Sequence, residues 1–309
     1  MNNRRVFISQ MIKGAALIGF TGLPRELYAA PDLIKITVLH TNDVHSHIDP
    51  FPLNDPKYAG LGGVEQRMAM INQIRNQEKN VLLLDAGDIF QGTPYFNMYG
   101  GELELKLMSA MKYDAATLGN HDFDNGLDGL VKQLPHADFP FVNANYDFTN
   151  TVMNGHTKPY TIFMKDDVRV GVFGLGLQLK GLVDERLYGN TIYIDPLQKA
   201  AEISHRLRKE EKCDVVICLS HLGYKYIDDK VSDVVLAKKS LNIDLIIGGH
   251  THTFIDTPYR YTNRERKEVL IAQVGWGGIK LGRIDFFIEK KSRKLFASGS
   301  VKDILKKSC

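Results

Sequence analysis

Residues 81–88 read VLLLDAGD and residues 214–221 read DVVICLSH, so that each is a short apolar run ending in polar side chains. Four other runs have the same form, namely IKITVLH (34–40), AATLGNHD (115–122), RVGVFGL (169–175) and DLIIGGH (244–250). Continuous apolar runs of this length predict strands that are buried on both faces of a sheet. These six strands decide the fold.

Amphipathic helical patterns separate most of these strands. They are predicted at 64–77, 102–111, 127–134, 196–209 and 233–240. Strands that alternate with helices predict an α/β fold. Towards the end of the chain, the runs 269–275, 281–289 and 294–301 follow one another without helices and predict a meander of antiparallel strands. We therefore expect mixed sheets, although this pattern alone also permits a single doubly wound sheet.

The composition is that of an ordinary globular protein, with 44% hydrophobic and 24% charged residues among 309. The net charge of +3 comes from residues 1–30, where four basic residues outweigh one acidic residue, so the remainder is neutral. A protein that binds nucleic acid is expected to carry a basic surplus or stripe. We therefore expect no nucleic-acid partner.

The N-terminal segment has the features of an export signal. The pair Arg4 and Arg5 precedes a short apolar run at 14–23, and small residues end the segment at Ala29 and Ala30. This order is typical of a twin-arginine signal peptide, which we place at 1–30, with the catalytic domain at 31–309. The apolar run is too short to span a bilayer, and no cysteine lies near the cleavage point. We expect a periplasmic or secreted protein without a stable membrane anchor.

Polar, glycine-flanked clusters follow five of the predicted strands. They contain Asp43 and His45 in TNDVHSH, Asp88 in DAGD, Asn120, His121, Asp122 and Asp124 in GNHDFDNG, His221 in SHLG, and His250 and His252 in GGHTH. Ligands of α/β sheets bind beyond the carboxyl ends of the strands, so these side chains are expected to meet at one edge. Carboxylate, amide and imidazole groups suit Mn, Fe, Zn or Co, and the lack of a cysteine cluster argues against structural zinc or iron–sulfur.

Any one of these clusters could occur by chance, but five in series after five strands predict a metal centre. We expect the glycines among them to let the backbone turn sharply beside the ligands. The glycines in question are Gly87, Gly119, Gly248 and Gly249.

The motifs D-x-H, G-D, G-N-H-D, a lone His and G-H-x-H, in this order, resemble those of the calcineurin-like metallophosphoesterases. Within that family, TNDVHSHIDP, GNHDFDNG, GGHTH and IKLGRIDF are similar to the 5′-nucleotidase branch. The resemblance runs from about Leu33 to Val301. It implies a four-layer α/β/β/α sandwich with mixed sheets.

The resemblance also implies a role for each polar residue. Asp43, His45 and His252 would bind the first metal, Asp88 would bridge, Asn120, His221 and His250 would complete the second site, and His121 would be catalytic and oriented by Asp124. Asp122 could share the orienting role. Two cations about 3.5–4 Å apart make a bridging hydroxide available to attack phosphorus near neutral pH. The expected activity is hydrolysis of phosphate monoesters, 5′-nucleotides or related small phosphorylated compounds, with two divalent metal ions as cofactors.

Other activities use the same metal core. They are those of a cyclic-nucleotide phosphodiesterase, a nucleotide-sugar diphosphatase and a thiosulfohydrolase-like enzyme. A different class is a non-catalytic metal-binding scaffold, which the loss of His121 or of the bridging carboxylate would have favoured; both are present. Relatives in this branch hold the nucleobase with a second, C-terminal domain. The 309 residues match the catalytic domain only, so a separate chain could supply that domain.

Overall fold

The computed structural model describes residues 33–305, and the signal peptide predicted at 1–30 lies outside them. Its strands are β1 (Leu33–Thr41), β2 (Val81–Asp85), β3 (Ala115–Ala116), β4 (Phe141–Val142), β5 (Tyr146–Asp147), β6 (Thr157–Lys158), β7 (Tyr160–Lys165), β8 (Val168–Gly176), β9 (Ile192–Tyr193), β10 (Val215–His221), β11 (Leu245–Gly248), β12 (Tyr259–Thr262), β13 (Glu268–Ala272), β14 (Lys280–Glu289) and β15 (Leu295–Asp303).

Its helices are α1 (Val64–Gln77), α2 (Pro94–Tyr99), α3 (Glu102–Ala110), α4 (Gly126–Gln133), α5 (Glu185–Tyr188), α6 (Pro196–His205) and α7 (Asp233–Lys239). Short 3₁₀ turns occupy His121–Phe123 and Leu134–His136, and a π turn at Arg206–Glu210 ends the helix predicted at 196–209. The helices predicted from periodicity are all present, with ends that agree to within a few residues.

The strands form two large sheets. The first has seven strands in the order β15-β14-β1-β2-β3-β4-β6, and the second has six in the order β12-β13-β11-β10-β8-β7. Within the first sheet β1, β2 and β3 are parallel, whereas β14 and β15 are antiparallel to their neighbours. In the second sheet β8, β10, β11 and β13 are parallel, and β7 and β12 are antiparallel edge strands. Both sheets are therefore mixed, as predicted.

Three apolar clusters show that the sheets and helices form four layers. One cluster lies between the sheets and includes Ile36 and Val38 of β1 with Val170 and Val172 of β8. A second joins α1, α3 and α4 to the outer face of the first sheet, and a third joins α6 and α7 to the outer face of the second sheet. Strands buried on both faces explain the continuous apolar runs in the sequence. The prediction of an α/β/β/α sandwich is confirmed.

The predicted C-terminal meander is wrong for one of its three strands. β14 and β15 form an antiparallel hairpin, but β13 lies in the other sheet, parallel to β11. In β13, Val269 and Ile271 face the helices, and Leu270 and Ala272 face the cluster between the sheets. Because both faces of β13 are apolar, it is stable only inside a sheet that is covered on both sides.

The strand predicted at 115–122 is also shorter than expected, since only Ala115 and Ala116 pair with a neighbour. The chain then leaves the sheet, and the amide of Gly119 donates to the carboxylate of Asp122 at 2.7 Å. The carboxylate of Asp122 thus accepts the hydrogen bond that a neighbouring strand would otherwise accept from the amide of Gly119. Between residues 33 and 305, no helix combines the length and apolarity that crossing a bilayer requires.

His40 is a polar residue in the apolar interior. It follows Ile36 and Val38 at every second position of β1 and is 0% exposed, and neither ring nitrogen has a hydrogen-bond partner among residues 33–305. Its register partner on β14 is Gly282, where a Cβ would collide with the imidazole. Burial lowers the pKa of His40 to about 3. The ring is therefore neutral in the folded protein near neutral pH.

Replacing His40 with leucine should change how stability depends on pH. The unfolded chain protonates His40 below its ordinary pKa of 6.5, whereas the folded chain does so only near 3. Stability is therefore lost as the pH falls through this window, by about 1.4 kcal/mol per pH unit. Denaturant unfolding at pH 7 and pH 5 should show a loss in His40→Leu about 2 kcal/mol smaller than in the unaltered protein. The exposed His205→Asn serves as the control, and an unchanged pH dependence in His40→Leu would contradict the argument.

Candidate metal centre

Five parallel strands deliver polar residues to one edge of the sandwich. β1, β2 and β3 of the first sheet and β10 and β11 of the second end at this edge. The segments that follow them, or in β10 the last residue, carry the nine predicted site residues Asp43, His45, Asp88, Asn120, His121, Asp124, His221, His250 and His252. The structure brings all nine together.

The first group of candidate ligands consists of Asp43, His45, Asp88 and His252, whose nearest ligand atoms all lie within 4.8 Å of one another. The Nε2 atoms of His45 and His252 are 3.0 Å apart. His45 Nε2 is 3.7 Å from Asp88 Oδ2, and His252 Nε2 is 3.4 Å from Asp43 Oδ1. Two imidazole nitrogens and two carboxylates therefore converge on one point.

The second group contains Asp88, His221 and His250, again within 4.8 Å. His221 Nε2 lies 3.1 Å from Asp88 Oδ2, although the two form no hydrogen bond of acceptable geometry. Asn120 adds its amide oxygen, which is 2.9 Å from His250 Nδ1. Asp88 belongs to both groups and lies between them.

The orientation of the imidazole rings fits divalent cations. His221 donates from Nδ1 to the backbone oxygen of Ala86 at 2.7 Å, so Nε2, 3.1 Å from Asp88 Oδ2, is the nitrogen that faces the group. In His45, Nδ1 lies 3.2 Å from the backbone oxygens of Phe90 and Gln91. Metal-binding histidines are commonly fixed in this way, by a hydrogen bond from the nitrogen that does not bind the metal. The donors, two carboxylates with imidazoles and an amide oxygen, are those that borderline divalent metals prefer.

The electrostatics of the centre are those of a buried anionic site. Asp43 is 0% exposed and Asp88 is 1% exposed. Burial raises the pKa of Asp88, but the charges of His221, His45 and His121 outweigh burial and hold this pKa well below its ordinary value. Burial lowers the pKa of His221, and Asp88 and Asp43 raise it to about 10. The carboxylates thus attract positive charge strongly, and divalent cations would supply it.

The backbone at the centre is strained. Asp43, His45, Asp88, His250 and His252 have positive φ angles of 49°, 52°, 54°, 70° and 50°. A left-handed conformation is uncommon for residues other than glycine and costs about 1–3 kcal/mol each. These five are predicted ligands, so the strain is concentrated where the side chains must point inwards.

Two kinds of glycine accommodate this geometry. Gly87 has a φ of 87°, and its predicted role in a sharp turn agrees with the structure. Gly119, Gly248 and Gly249 do not have positive φ, so none of the three supplies a left-handed residue to a turn. A Cβ at Gly119 would collide with Asp88, and one at Gly249 would lie 2.9 Å from the backbone oxygen of Ala86. At these positions a glycine is needed because neighbouring loops approach the backbone too closely for a side chain.

His121 and Asp124 form a pair beside the two groups. His121 Nδ1 is 2.7 Å from Asp124 Oδ2, and the hydrogen bond to Asp124 raises the pKa of the imidazole. Residues three apart are eclipsed in a 3₁₀ helix, and the turn His121–Phe123 therefore places both side chains on one side. The backbone amide of His121 donates to Asp88 Oδ1 at 2.8 Å, which fixes the pair relative to the ligands.

Asp122 does not share the orienting role that the sequence left open for it. Its buried carboxylate accepts from the amides of Asp88, Ile89, Phe90 and Gly119 at 3.0, 2.9, 3.2 and 2.7 Å. The two loops that follow β2 and β3 are thereby tied together. Asp122 stabilises the backbone under Asp88, and its hydrogen bonds come from these amides rather than from the imidazole of His121.

Some contributors were not predicted. Asn42 donates to Asp43 Oδ2 at 2.6 Å and accepts from the amide of Val274 at 2.9 Å, so it holds the carboxylate of Asp43 in place. Trp276 stacks on His252, with ring centroids 5.8 Å apart. The motif GWGG, which holds the chain's sole tryptophan between glycines, was the available signal. His47 lies outside both ligand groups and stacks on Phe51 at 4.7 Å.

Fold and site together define a class of protein. The calcineurin-like phosphoesterase family model matches residues 36–254, more than half of the chain. The chain belongs to this family of hydrolases, whose members bind divalent metals, and the predicted resemblance is confirmed.

Its relatives include 5′-nucleotidases. The snake venom 5′-nucleotidase of Crotalus adamanteus is 31% identical over 296 residues, which cover 89% of this chain and 49% of the relative. The 5′-nucleotidase of Homo sapiens is 30% identical over 295 residues, with 89% and 50% covered. The crystal structure of the 5′-nucleotidase precursor from Thermus thermophilus gives a TM-score of 0.77 at 30% identity and covers 87% of this chain and 54% of its own. The chain spans about half the length of these relatives.

Removing divalent metals should destabilise the protein. A ligand that binds only the folded state at a hundredfold excess over its Kd stabilises it by about 2.7 kcal/mol. We expect Tm to rise by about 5 °C or more when the chelator-treated protein is reloaded with Mn²⁺, as measured by calorimetry. Asp88→Asn should show a much smaller rise. An equal rise in both proteins would show that Mn²⁺ binds elsewhere.

Asp122→Asn should lower stability. An asparagine places an amide nitrogen against backbone amides that need an acceptor, and we expect a loss of about 3 kcal/mol in the free energy of unfolding. Chemical denaturation measures the change. A difference below about 0.5 kcal/mol would refute the anchoring role.

Asp124→Asn is the matched counterpart and should affect turnover instead. The Asp124 side chain is 27% exposed and bonds to the imidazole of His121, so its loss should leave stability nearly unchanged. We expect kcat to fall about 100-fold because the ring loses its orienting carboxylate. Steady-state kinetics and denaturation of the same preparation separate the two effects, and a destabilisation equal to that of Asp122→Asn would count against the distinction.

Proposed function

We propose that this chain is a secreted phosphoesterase with two divalent metals that hydrolyses phosphate monoesters, namely 5′-nucleotides or related compounds. The observation that carries the proposal is the pair of ligand groups that share Asp88, with His121 held beside them. Relatives named as 5′-nucleotidases, and the trifunctional nucleotide phosphoesterase YfkN of Bacillus subtilis, at 34% identity over 292 residues, support the nucleotide substrate.

The proposed assignment of the ligands follows the two groups. Asp43, His45 and His252 would hold the first cation, Asp88 would contribute to both sites, and Asn120, His221 and His250 would complete the second site. Only a carboxylate offers two oxygens for two cations, and Asp88 is the carboxylate that both groups contain. Two bound cations supply a water nucleophile at neutral pH and neutralise charge on the phosphoryl oxygens.

His121 is proposed as the proton donor. Its Nδ1 is engaged by Asp124, so Nε2 is the nitrogen left for the substrate, and 38% of the side chain is exposed. The hydrogen bond to Asp124 raises the pKa of the imidazole, which keeps a proton on the ring more readily. His121 would donate this proton to the leaving-group oxygen as the ester bond breaks.

The proposed location is the periplasm or the exterior, and the proposed domain is 31–309. The support for both is the segment of residues 1–30, with Arg4 and Arg5 before its apolar run. A relative named as a snake venom enzyme agrees with export. Assays of the purified chain alone also decide whether a separate chain with a C-terminal domain is required.

The test is hydrolysis by the metal-stripped mature chain after reloading with Mn²⁺, Co²⁺ or Zn²⁺. The substrates are 4-nitrophenyl phosphate, its diester, AMP, 2′,3′-cyclic AMP and a nucleotide sugar. We expect metal-dependent turnover of the monoesters, reduced roughly 1,000-fold or more in Asp88→Asn because that side chain serves both sites. Faster turnover of the cyclic or sugar nucleotide would replace the monoester proposal. No turnover with two metals bound would favour the non-catalytic scaffold.

A further inference from the structure

A cluster of aromatic rings lies next to the first ligand group. Three part-exposed rings, Trp276, Tyr58 and Phe254, form what we call the aromatic shelf. Tyr58 is 6.0 Å from Trp276 in an edge-to-face contact and is stacked on Phe254 at 6.2 Å. The buried Phe51 supports the shelf from below, with its centroid 5.4 Å from that of Tyr58 and 5.5 Å from that of Trp276.

The shelf adjoins His252, one of the proposed metal ligands. The indole of Trp276 is nearly parallel to the imidazole of His252, at an interplanar angle of 10°. The side chain of His252 is itself 39% exposed, and the three rings of the shelf are partly exposed as well. Tyr58 contacts Trp276, and Phe254 contacts Tyr58, so the three rings form a continuous series.

The backbone is shaped to allow these rings to pack. Trp276 stands between Gly275 and Gly277, whose φ angles are 76° and 64°. A Cβ at Gly275 would collide with the ring of Phe254, and one at Gly277 would press on Phe51. The motif GWGG is therefore explained by the shelf and by the turn that presents Trp276.

Two lysines border the shelf. Lys57 Nζ is 4.9 Å from the centroid of Tyr58, and Lys280 Nζ is 5.6 Å from that of Phe254. Lys280 is paired with Asp256 and Asp303. The two carboxylates balance the charge of Lys280, so Lys57 is the cation that would attract an anionic substituent of a planar ring stacked on the shelf.

We propose that Trp276, Tyr58 and Phe254 form a subsite for a planar leaving group, a nucleobase or an aryl ring, and thereby determine substrate specificity. The proposal rests on the proposed phosphoesterase function. In a nucleotide the ribose separates the base from the phosphate, and the series of rings adjoins His252, a proposed ligand of the first cation. Base–aromatic stacking tolerates different bases, so the subsite selects planar rings rather than one base.

The sole tryptophan gives a direct test, because the intrinsic fluorescence on selective indole excitation reports on Trp276 alone. Adenosine, which has no phosphate, is titrated into the Mn²⁺-loaded protein and into the metal-free protein, with ribose as the comparison. We expect saturable quenching by adenosine and none by ribose. Tyr58→Ala should weaken the apparent affinity for adenosine about tenfold. The absence of quenching by adenosine would overturn the proposal.

Kinetics test the same subsite in turnover. For Tyr58→Ala and Phe254→Ala, the ratio of kcat/KM for AMP to kcat/KM for glycerol phosphate should fall about tenfold, with metal content checked in each preparation. Tyr160→Ala, at the start of β7 on the opposite edge of the second sheet, is the control and should keep the ratio. An equal fall for both substrates would show that the shelf only supports His252.

The two proposals fail in distinguishable ways. If the unaltered, metal-loaded protein hydrolyses no phosphate ester, the proposed function fails, whatever adenosine does to the fluorescence. If it hydrolyses AMP while adenosine leaves Trp276 unquenched and the substrate ratio unchanged, the function stands and the aromatic subsite is wrong.

Discussion

Two carboxylates, Asp43 and Asp88, lie within 4.8 Å of each other at positions that are almost completely buried. Like charges at this distance repel strongly when water is excluded, so the site is stable only with positive charge between them. Much of the surrounding structure serves that requirement. Imidazoles from three loops and one strand end approach the carboxylates, and the backbone amides of His121 and His250 donate to Asp88 and Asp43 respectively. Five of the proposed ligands have a left-handed backbone conformation, which destabilises the folded state. The apolar core between the sheets offsets this strain energy.

The carboxylates are held by partners that differ in kind. Asp43 is tied to the second sheet through Asn42 and Val274, whereas the loop of Asp88 is tied to its neighbour through the carboxylate of Asp122. Each anchor satisfies donors that would otherwise be buried without a partner. The position of Asp88, the proposed bridging carboxylate, therefore depends on Asp122, which belongs to neither ligand group. The positions of Asp43 and Asp88 are thus set by hydrogen bonds within the loops that carry them as much as by the strands that precede these loops.

Much of the fold could be predicted because its signals are local. The apolar run before Asp88 and the periodicity of Val64–Gln77 each specify an element within a few residues, and parallel strands bring their ends to one edge. The sheet that β13 joins could not be predicted, because pairing is decided by distant partners. Asp122 and Asp124 are chemically alike and two positions apart, and only the direction of a 3₁₀ turn separates an anchor from an orienting residue. The aromatic shelf joins Tyr58 to Phe254 and Trp276, which lie far from it along the chain, and no local pattern reports such a contact.

Each ligand group draws on both sheets. His252 completes a group that otherwise follows β1 and β2, while His221 and His250 from the second sheet meet Asp88 from the first. The bond from His221 to the backbone oxygen of Ala86 crosses the same junction. The ligands are thus widely separated along the chain, and neither group exists until β11 has docked. Cations bound by the proposed ligands would therefore be captured only after both sheets have formed, and they would then link the two sheets at this edge.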